Sequence, residues 1–429
     1  MSYLVNDKPD SDSLSQIPLA TSPVLRTWRL TRCGLVEITD NPAMGAFLDK
    51  PRTVKTNTCG EGHGLRSALG SMQGWRVDME DAHVLEFSMG NCEPYNQWSF
   101  FAVFDGHAGN VAAKLGSMHI VEALVNTEQF KLLREKLSQN NNVLTEELLE
   151  LMKQGIVDGF LQLDEKMREE LDKGRDRSGT TAVCAIVTPS HVVIANLGDS
   201  RAVFCRKEGH VFGTHDHKPN LEKEKERIVR AGGSVMIQRI NGSLAVSRAF
   251  GDFEYKSSLE LKPVQQLVSP EPDVYILPRN VENDEFLLLA CDGVYDVMEN
   301  EELCDFVRNR LRVQDNLESV CNDVLDACLW KGSRDNMTAI VVCFSASPKI
   351  NEVDKAEEDE WKSKVRTLLT ETVEEEISRD DWTDDSELRV ESILKLAFVH
   401  EDFAQISPRD YLKKRLAEEI LDEKQIKHD

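Results

Sequence analysis

The chain has no long hydrophobic run. Its longest apolar stretches, Phe286–Cys291 and Ala339–Phe344, span about six residues, against about 20 for a membrane span, so no transmembrane segment is expected. Positive charge is also short: 51 Lys and Arg face 75 Asp and Glu, a net charge of −24. That excludes a generic nucleic-acid binder, which displaces counterions from phosphates with a basic footprint. It equally excludes electrostatic docking on an anionic membrane. The opening residues, MSYLVNDKPDSDSLSQ, contain no basic stretch followed by an apolar one, so no secretory leader is expected. Asp7, Asp10, Asp12, Glu37 and Asp40 make the same segment too acidic for a mitochondrial transit peptide, despite Arg26, Arg29 and Arg32. No Gly-Lys dipeptide occurs, so there is no Walker A loop. The CGEGHG run at 59–64 lacks the strand–turn–helix context of a nucleotide loop. Ten cysteines are scattered without a C-x-x-C. They are expected as small buried hydrophobes in a reducing compartment. His215 and His217 in THDHKP have a zinc-like spacing, but with no further His or Cys ligands assigned nearby they are read as loop residues.

What is present divides into three parts. Residues 1–43 are punctuated by Ser, Pro and Asp with no sustained period and read as a flexible extension. From 44 to 347 the chain reads as one dense domain. Strands are predicted at Trp98–Phe104, Thr181–Val187, Val192–Leu197, Ala202–Arg206, Phe286–Ala290 and Thr338–Phe344. Helices are predicted at Ala108–Val125, Glu146–Glu170, Leu221–Ala231 and Glu301–Val313. Strand lengths and the absence of regular β-α-β alternation favour an α+β fold with antiparallel sheets. Residues 348–429 turn rich in Glu, Leu and Lys, and three helices are predicted at about 353–377, 385–399 and 408–423. Asp384 and Ser407 are candidate caps, and Pro408 suits a first turn. This tail is an acidic three-helix subdomain, with 24 acids against 13 Lys and Arg over 351–429.

The chemistry-bearing pattern is a set of acids beside glycine at the ends of apolar runs. Asp105-Gly106-His107 follows Phe100–Phe104, and Gly198-Asp199 follows Val192–Leu197. Asp292-Gly293 and then Asp296 follow Leu287–Cys291, Asp335 precedes the Thr338 run, and Glu80-Asp81 follows Arg76. Each alone reads as an ordinary turn, since Gly supplies a positive φ and Asp bonds its own backbone. Together, if the strand ends converge, they form a cluster whose mutual repulsion is tolerable only with protons or divalent cations. Hard oxygen donors without a His or Cys cluster select Mg²⁺ or Mn²⁺ over zinc.

The runs SMQGWRVDMEDAH (71–83), FFAVFDGHAG (100–109), DRSGTTAV (176–183), NLGDSRA (196–202), DHKP (216–219), SRAFGD (247–252), SPEPDV (269–274), LLACDGVYDVM (288–298) and GSRDNMTAIVV (332–342) resemble the protein phosphatase 2C family of metal-dependent Ser/Thr phosphatases. The start MGAFLDKP (44–51) and the helical tail are similar to its animal alpha/beta branch. The resemblance implies a central β-sandwich of two antiparallel sheets flanked by helices. It implies two Mn²⁺ or Mg²⁺ ions per catalytic centre, bridged by Asp105, with the Gly106 carbonyl, Asp292 and Asp335 as further ligands and Glu80 serving largely through water, Asp81 close by. Asp199 and Asp296, with Asp292, resemble a weaker third-metal site. Arg76 matches the phosphate-binding arginine and His107 the general acid. The implied reaction is hydrolysis of phosphoserine and phosphothreonine monoesters by a metal-bridging water, with no protein nucleophile. The region 209–265 resembles the family's flap beside the site.

Two positions depart from the family pattern: Tyr295 stands where Trp is frequent and Phe250 where Leu is usual. Gly45 is internal here, so membrane contact is expected only from a form that starts at Met44 and is myristoylated on Gly45; Asp49 replaces the Ser or Thr of that signal. The expected partners are phosphorylated proteins, the expected state a monomer, and the expected location the cytoplasm and also the nucleus, in negative regulation of phosphorylation-dependent signalling. The alternative is a non-catalytic phosphoprotein-binding adaptor of the same fold, which degenerate metal positions would favour.

Overall fold

A computed structural model describes residues 27–31, 34–38, 47–379, 382–383, 387–398 and 409–428. Among the described residues, eleven strands build two sheets: β1 (Phe47–Gly62), β2 (Leu65–Arg76), β3 (Ala82–Glu86), β4 (Ser99–Phe104), β5 (Ala182–Val187), β6 (His191–Leu197), β7 (Arg201–Arg206), β8 (Val211–Gly213), β9 (Asp273–Pro278), β10 (Asp284–Ala290) and β11 (Met337–Cys343). One sheet runs β9-β6-β5-β4-β3 and the other β8-β7-β10-β11-β2-β1, with every pairing antiparallel.

The central strands β4, β5, β6, β10 and β11 read as continuous apolar runs because both faces are buried. Phe101 and Val103 of β4 face the second sheet, where they meet Leu69, Leu287, Leu289, Ile340 and Val342. Phe100, Ala102 and Phe104 point the other way, into a layer formed by helices α1 (Val111–Val125), α2 (Glu128–Gln139) and α3 (Glu146–Gly174). Thr127 and Thr145 cap α2 and α3 by accepting the N–H groups of Phe130 and Leu148. After α4 (Glu222–Arg230), the short α5 (Asp292–Tyr295) leads to α6 (Asn300–Val313) and α7 (Leu317–Trp330), which cover the outer face of the six-stranded sheet. Each such fully buried aliphatic or aromatic side chain contributes about 1.5–3 kcal/mol.

Among the described residues three helices follow β11: α8 (Glu352–Ile377), α9 (Val390–Ala397) and α10 (Asp410–Glu423). They share an apolar core of Val365, Leu369, Val373, Ile393, Leu394, Ile420 and Leu421. A buried ion network ties them to the sandwich. Arg310 on α6 donates to Asp323 on α7 (2.8 Å) and to Glu358 on α8 (2.6 and 2.9 Å), while Arg415 on α10 donates to Asp323 (2.7 Å).

Several expectations shift. The second tail helix begins at Val390 rather than 385 and the third at Asp410 rather than 408; the candidate caps Asp384 and Ser407, and Pro408, lie outside the described residues. β1, β2 and α7 were not anticipated: β1 is a largely exposed edge strand whose polar sequence carries no apolar run. Within the separate unit 1–45, Thr27–Thr31 pairs antiparallel with Gly34–Ile38. The reading of the cysteines as thiols also needs correction: Cys205 on β7 and Cys304 on α6 form a disulfide, while Cys184, Cys291, Cys321, Cys328 and Cys343 are buried thiols.

Candidate metal centre

Antiparallel pairing brings the acid-bearing loops to one end of the sandwich. In the smaller sheet Phe104 pairs with Ala82, and Leu197 with Ala182, so the ends of β4 and β6 lie beside the starts of β3 and β5. In the larger sheet Met72 pairs with Met337 and Ala290 with Ala339, which gathers Arg76, Asp292 and Asp335. Asn336 staples the intervening loop. Its amide donates to the carbonyls of Gln73 (2.9 Å) and Asp78 (3.0 Å), and its oxygen accepts from Glu80 N–H (2.9 Å). Gly106 allows a close approach: a Cβ there would lie 2.3 Å from the Glu80 carbonyl oxygen.

The carboxylates are therefore crowded and shielded. Donor atoms of Asp81, Asp105 and Cys291 all lie within 4.8 Å of one another. Asp81 Oδ2 accepts from the Thr338 hydroxyl (2.6 Å), but its Oδ1 is buried without a hydrogen-bond partner. Burial pushes the Asp81 carboxyl up to about 7. Burial, then the neighbouring carboxylates, push Asp105 and Asp292 well above the ordinary range. Asp296 is raised by burial, against the opposing effect of Lys218. Glu80 Oε1 accepts from Gly109 N–H (2.6 Å). Arg76 Nη2 donates to Asp335 Oδ2 (2.6 Å), and burial, which disfavours the Arg76 charge, is outweighed by Asp335, Asp105 and Asp292. A shielded carboxylate oxygen without a partner, set among carboxyls held from ionising, is what a divalent cation would relieve, and the residues present fit one.

Residues outside the expected set also enter the site. Cys291 Sγ lies among the donors, a single cysteine and not a His or Cys cluster. Burial holds its thiol well above the ordinary range, so it offers no thiolate and the donors remain hard oxygens. Asp252 pairs with His107 at Nε2–Oδ2 2.8 Å. Burial disfavours protonated His107, but Asp252 outweighs it and the pKa lies above the ordinary value. Gly179 makes room for that pair, since a Cβ there would lie 2.2 Å from Asp252 Oδ2 and 2.4 Å from His107 Nε2. His217, read as a loop residue, is buried and accepts from Gly198 N–H (3.1 Å). Lys218 pairs with Asp199. The available signals were the Gly-Asp after SRAF and the Lys within DHKP.

A family model described as protein phosphatase 2C matches residues 65–337. Protein phosphatase ppm-1.A of Caenorhabditis elegans is 51% identical over 426 residues, covering 98% of this chain and 90% of that one. The chain belongs to the protein phosphatase 2C family. Mouse protein phosphatase 1B is 52% identical over 338 residues, covering 77% of this chain and 85% of the relative. A Toxoplasma gondii phosphatase crystal structure overlays with a TM-score of 0.56 at 26% identity, covering 68% of this chain and 96% of the other. The phosphatase is a metal-dependent protein serine/threonine phosphatase, and its substrates are phosphoproteins. The convergent loops lie at or near the matched span, which ends one residue after Asn336.

Proposed function

We propose that the phosphatase hydrolyses phosphoserine and phosphothreonine directly, without a covalent enzyme intermediate, at a centre that takes two divalent cations, Mn²⁺ or Mg²⁺. Asp105, the Gly106 carbonyl, Asp292 and Asp335, with Glu80 and Asp81 beside them, would hold the pair; Asp199 and Asp296, with Asp292, would hold a weaker third. Such ions supply Lewis acidity that lowers the pKa of water and offsets phosphoryl charge. The chain's own groups do the rest. Arg76 spends one amino group on Asp335, which aims its remaining donors; its Nε is shielded and has no partner, which suits a planar grip on two phosphate oxygens. His107, with Nε2 committed to Asp252, keeps Nδ1–H for the departing Ser or Thr oxygen, a poor leaving group unless protonated.

The observation that carries this reading is the shielded, unpartnered Asp81 Oδ1 beside Asp105. It is tested by release of phosphate from a phosphothreonine peptide. Turnover should require Mn²⁺ or Mg²⁺, and should be lost in Asp105→Ala and Asp292→Ala. Full turnover in excess EDTA overturns it. In the cell the enzyme is proposed to act as a monomer, in the cytoplasm and nucleus, reversing kinase signals.

A further inference from the structure

The turn that ends β6 carries Gly198 and Asp199, and a second loop is locked against it. Gly198 N–H donates to His217 Nδ1 (3.1 Å), and the Gly198 carbonyl accepts from His217 N–H (2.8 Å). The His217 carbonyl in turn accepts from Ser247 through both its N–H (3.0 Å) and its hydroxyl (2.8 Å). This reciprocal clamp sets the next residue, Lys218, beside Asp199, and the Lys218 ammonium pairs with Asp199 Oδ2. The Asp199 side chain is 4% exposed and that of Lys218 35%, so the pair is shielded from water on its Asp199 side. The Lys218 charge also reaches Asp292 and Asp296. The three carboxylates of the weaker cation position already have one positive charge among them, delivered by the chain itself.

We infer that Lys218 is a tethered counter-cation that occupies the third cation position and must leave Asp199 before an ion can enter. The inference rests on the proposed cation-dependent centre and deepens it. An ammonium and a divalent ion compete for the same Asp199 oxygen and repel one another, so they do not share it. The affinity of the third ion is therefore what remains after the Lys218–Asp199 pair has been broken. The His217 clamp keeps the lysine backbone in place throughout, so the ammonium returns whenever the ion leaves. The weakness of the third position is then set by this one side chain and not by too few carboxylates.

The test counts Mn²⁺ bound to the full chain, by electron paramagnetic resonance of the free ion, in the native protein, Lys218→Met and Lys218→Arg. Two ions should still bind in all three, with a smaller change in affinity than at the third position because Lys218 touches Asp199 and only reaches Asp292 from further away; their binding also reports correct folding. The third dissociation constant should fall about tenfold or more in Lys218→Met, which removes a single positive charge, and should stay near the native value in Lys218→Arg. An unchanged third constant in Lys218→Met, with two ions still bound, overturns the inference alone. Failure of the native protein to bind Mn²⁺ overturns the proposed centre instead. A second measurement needs no variant: acetylation of Lys218 by acetic anhydride should accelerate over the Mn²⁺ range that fills the third position. Labelling that ignores Mn²⁺ refutes the displacement.

Discussion

Replacing Asp105 by Asn separates a cation cage from an ordinary buried carboxylate. The donor oxygens of Asp81 and Asp105 lie within 4.8 Å of one another. Two unit charges at that distance repel by about 3 kcal/mol at an effective dielectric near 20. Asp292 and Asp335 add repulsion of the same sign. Asn keeps the volume and one carbonyl oxygen but removes the charge. Without divalent ions, at pH 8, Asp105→Asn should therefore be more stable than the native protein by about 1–3 kcal/mol. With Mn²⁺ the sign reverses. A ligand at a hundredfold excess over its dissociation constant stabilises by about 2.7 kcal/mol, and the variant forgoes much of that. Thermal melts of both proteins, in EDTA and in Mn²⁺, read the two differences directly, and the order of melting temperatures should invert. A variant that melts below the native protein in both buffers would refute the reasoning, because Asp105 would then be a hydrogen-bonded structural carboxylate.

Three further outcomes are expected. Arg310→Ala leaves Asp323 and Glu358 short of a buried counter-charge, at a cost of about 3 kcal/mol; amide exchange in α8–α10 should accelerate while peptide turnover persists. Unchanged exchange there would assign the docking to the apolar contacts of Tyr411 and Leu412 instead. Gly179→Ala drives a methyl between His107 and Asp252 and should lower kcat about 100-fold, while overpacking costs about 1–3 kcal/mol of stability; native kcat would remove that pair from the reaction. Glu224 sits between Arg227 and Arg248, and although burial opposes its charge, these partners hold it down at about 2. Its folded pKa is depressed, so its contribution, at most about 3 kcal/mol, is complete above about 4.5 and lost as pH falls towards 2. Exchange protection in α4 should therefore differ between native and Glu224→Gln at pH 7 and converge near pH 2, and a difference that persists at pH 2 would contradict the assignment.

The apolar runs were legible as strands because the two sheets and their flanking helices bury both faces of β4, β5, β6, β10 and β11. A strand with two buried faces has no choice but to be apolar throughout. The acids at their ends were legible for the converse reason: a carboxylate next to Gly stands out at the end of such a run. β1 was not legible, since an edge strand facing solvent carries no apolar signature, and its identity is decided by pairing with β2. α7 was not legible either. It is set by packing against the sheet, with Val320, Cys321, Val324 and Leu325 buried there.

Within the site the division follows the same logic. The acids Asp105, Asp292, Asp335, Glu80 and Asp81 were legible as candidates from side-chain type and place at strand ends, and Arg76 and His107 from the motifs that resemble the family. Which residues serve them is a matter of approach. Asp252 reaches His107 across 145 positions, and Cys291 comes from the other sheet to lie among Asp81 and Asp105. Lys218 reaches Asp199 only because His217 is clamped to Gly198. A side chain's charge and donors are local and written in the sequence. Its neighbours are set by sheet register and by the few glycines that let backbones touch, and these exist only once the chain has folded.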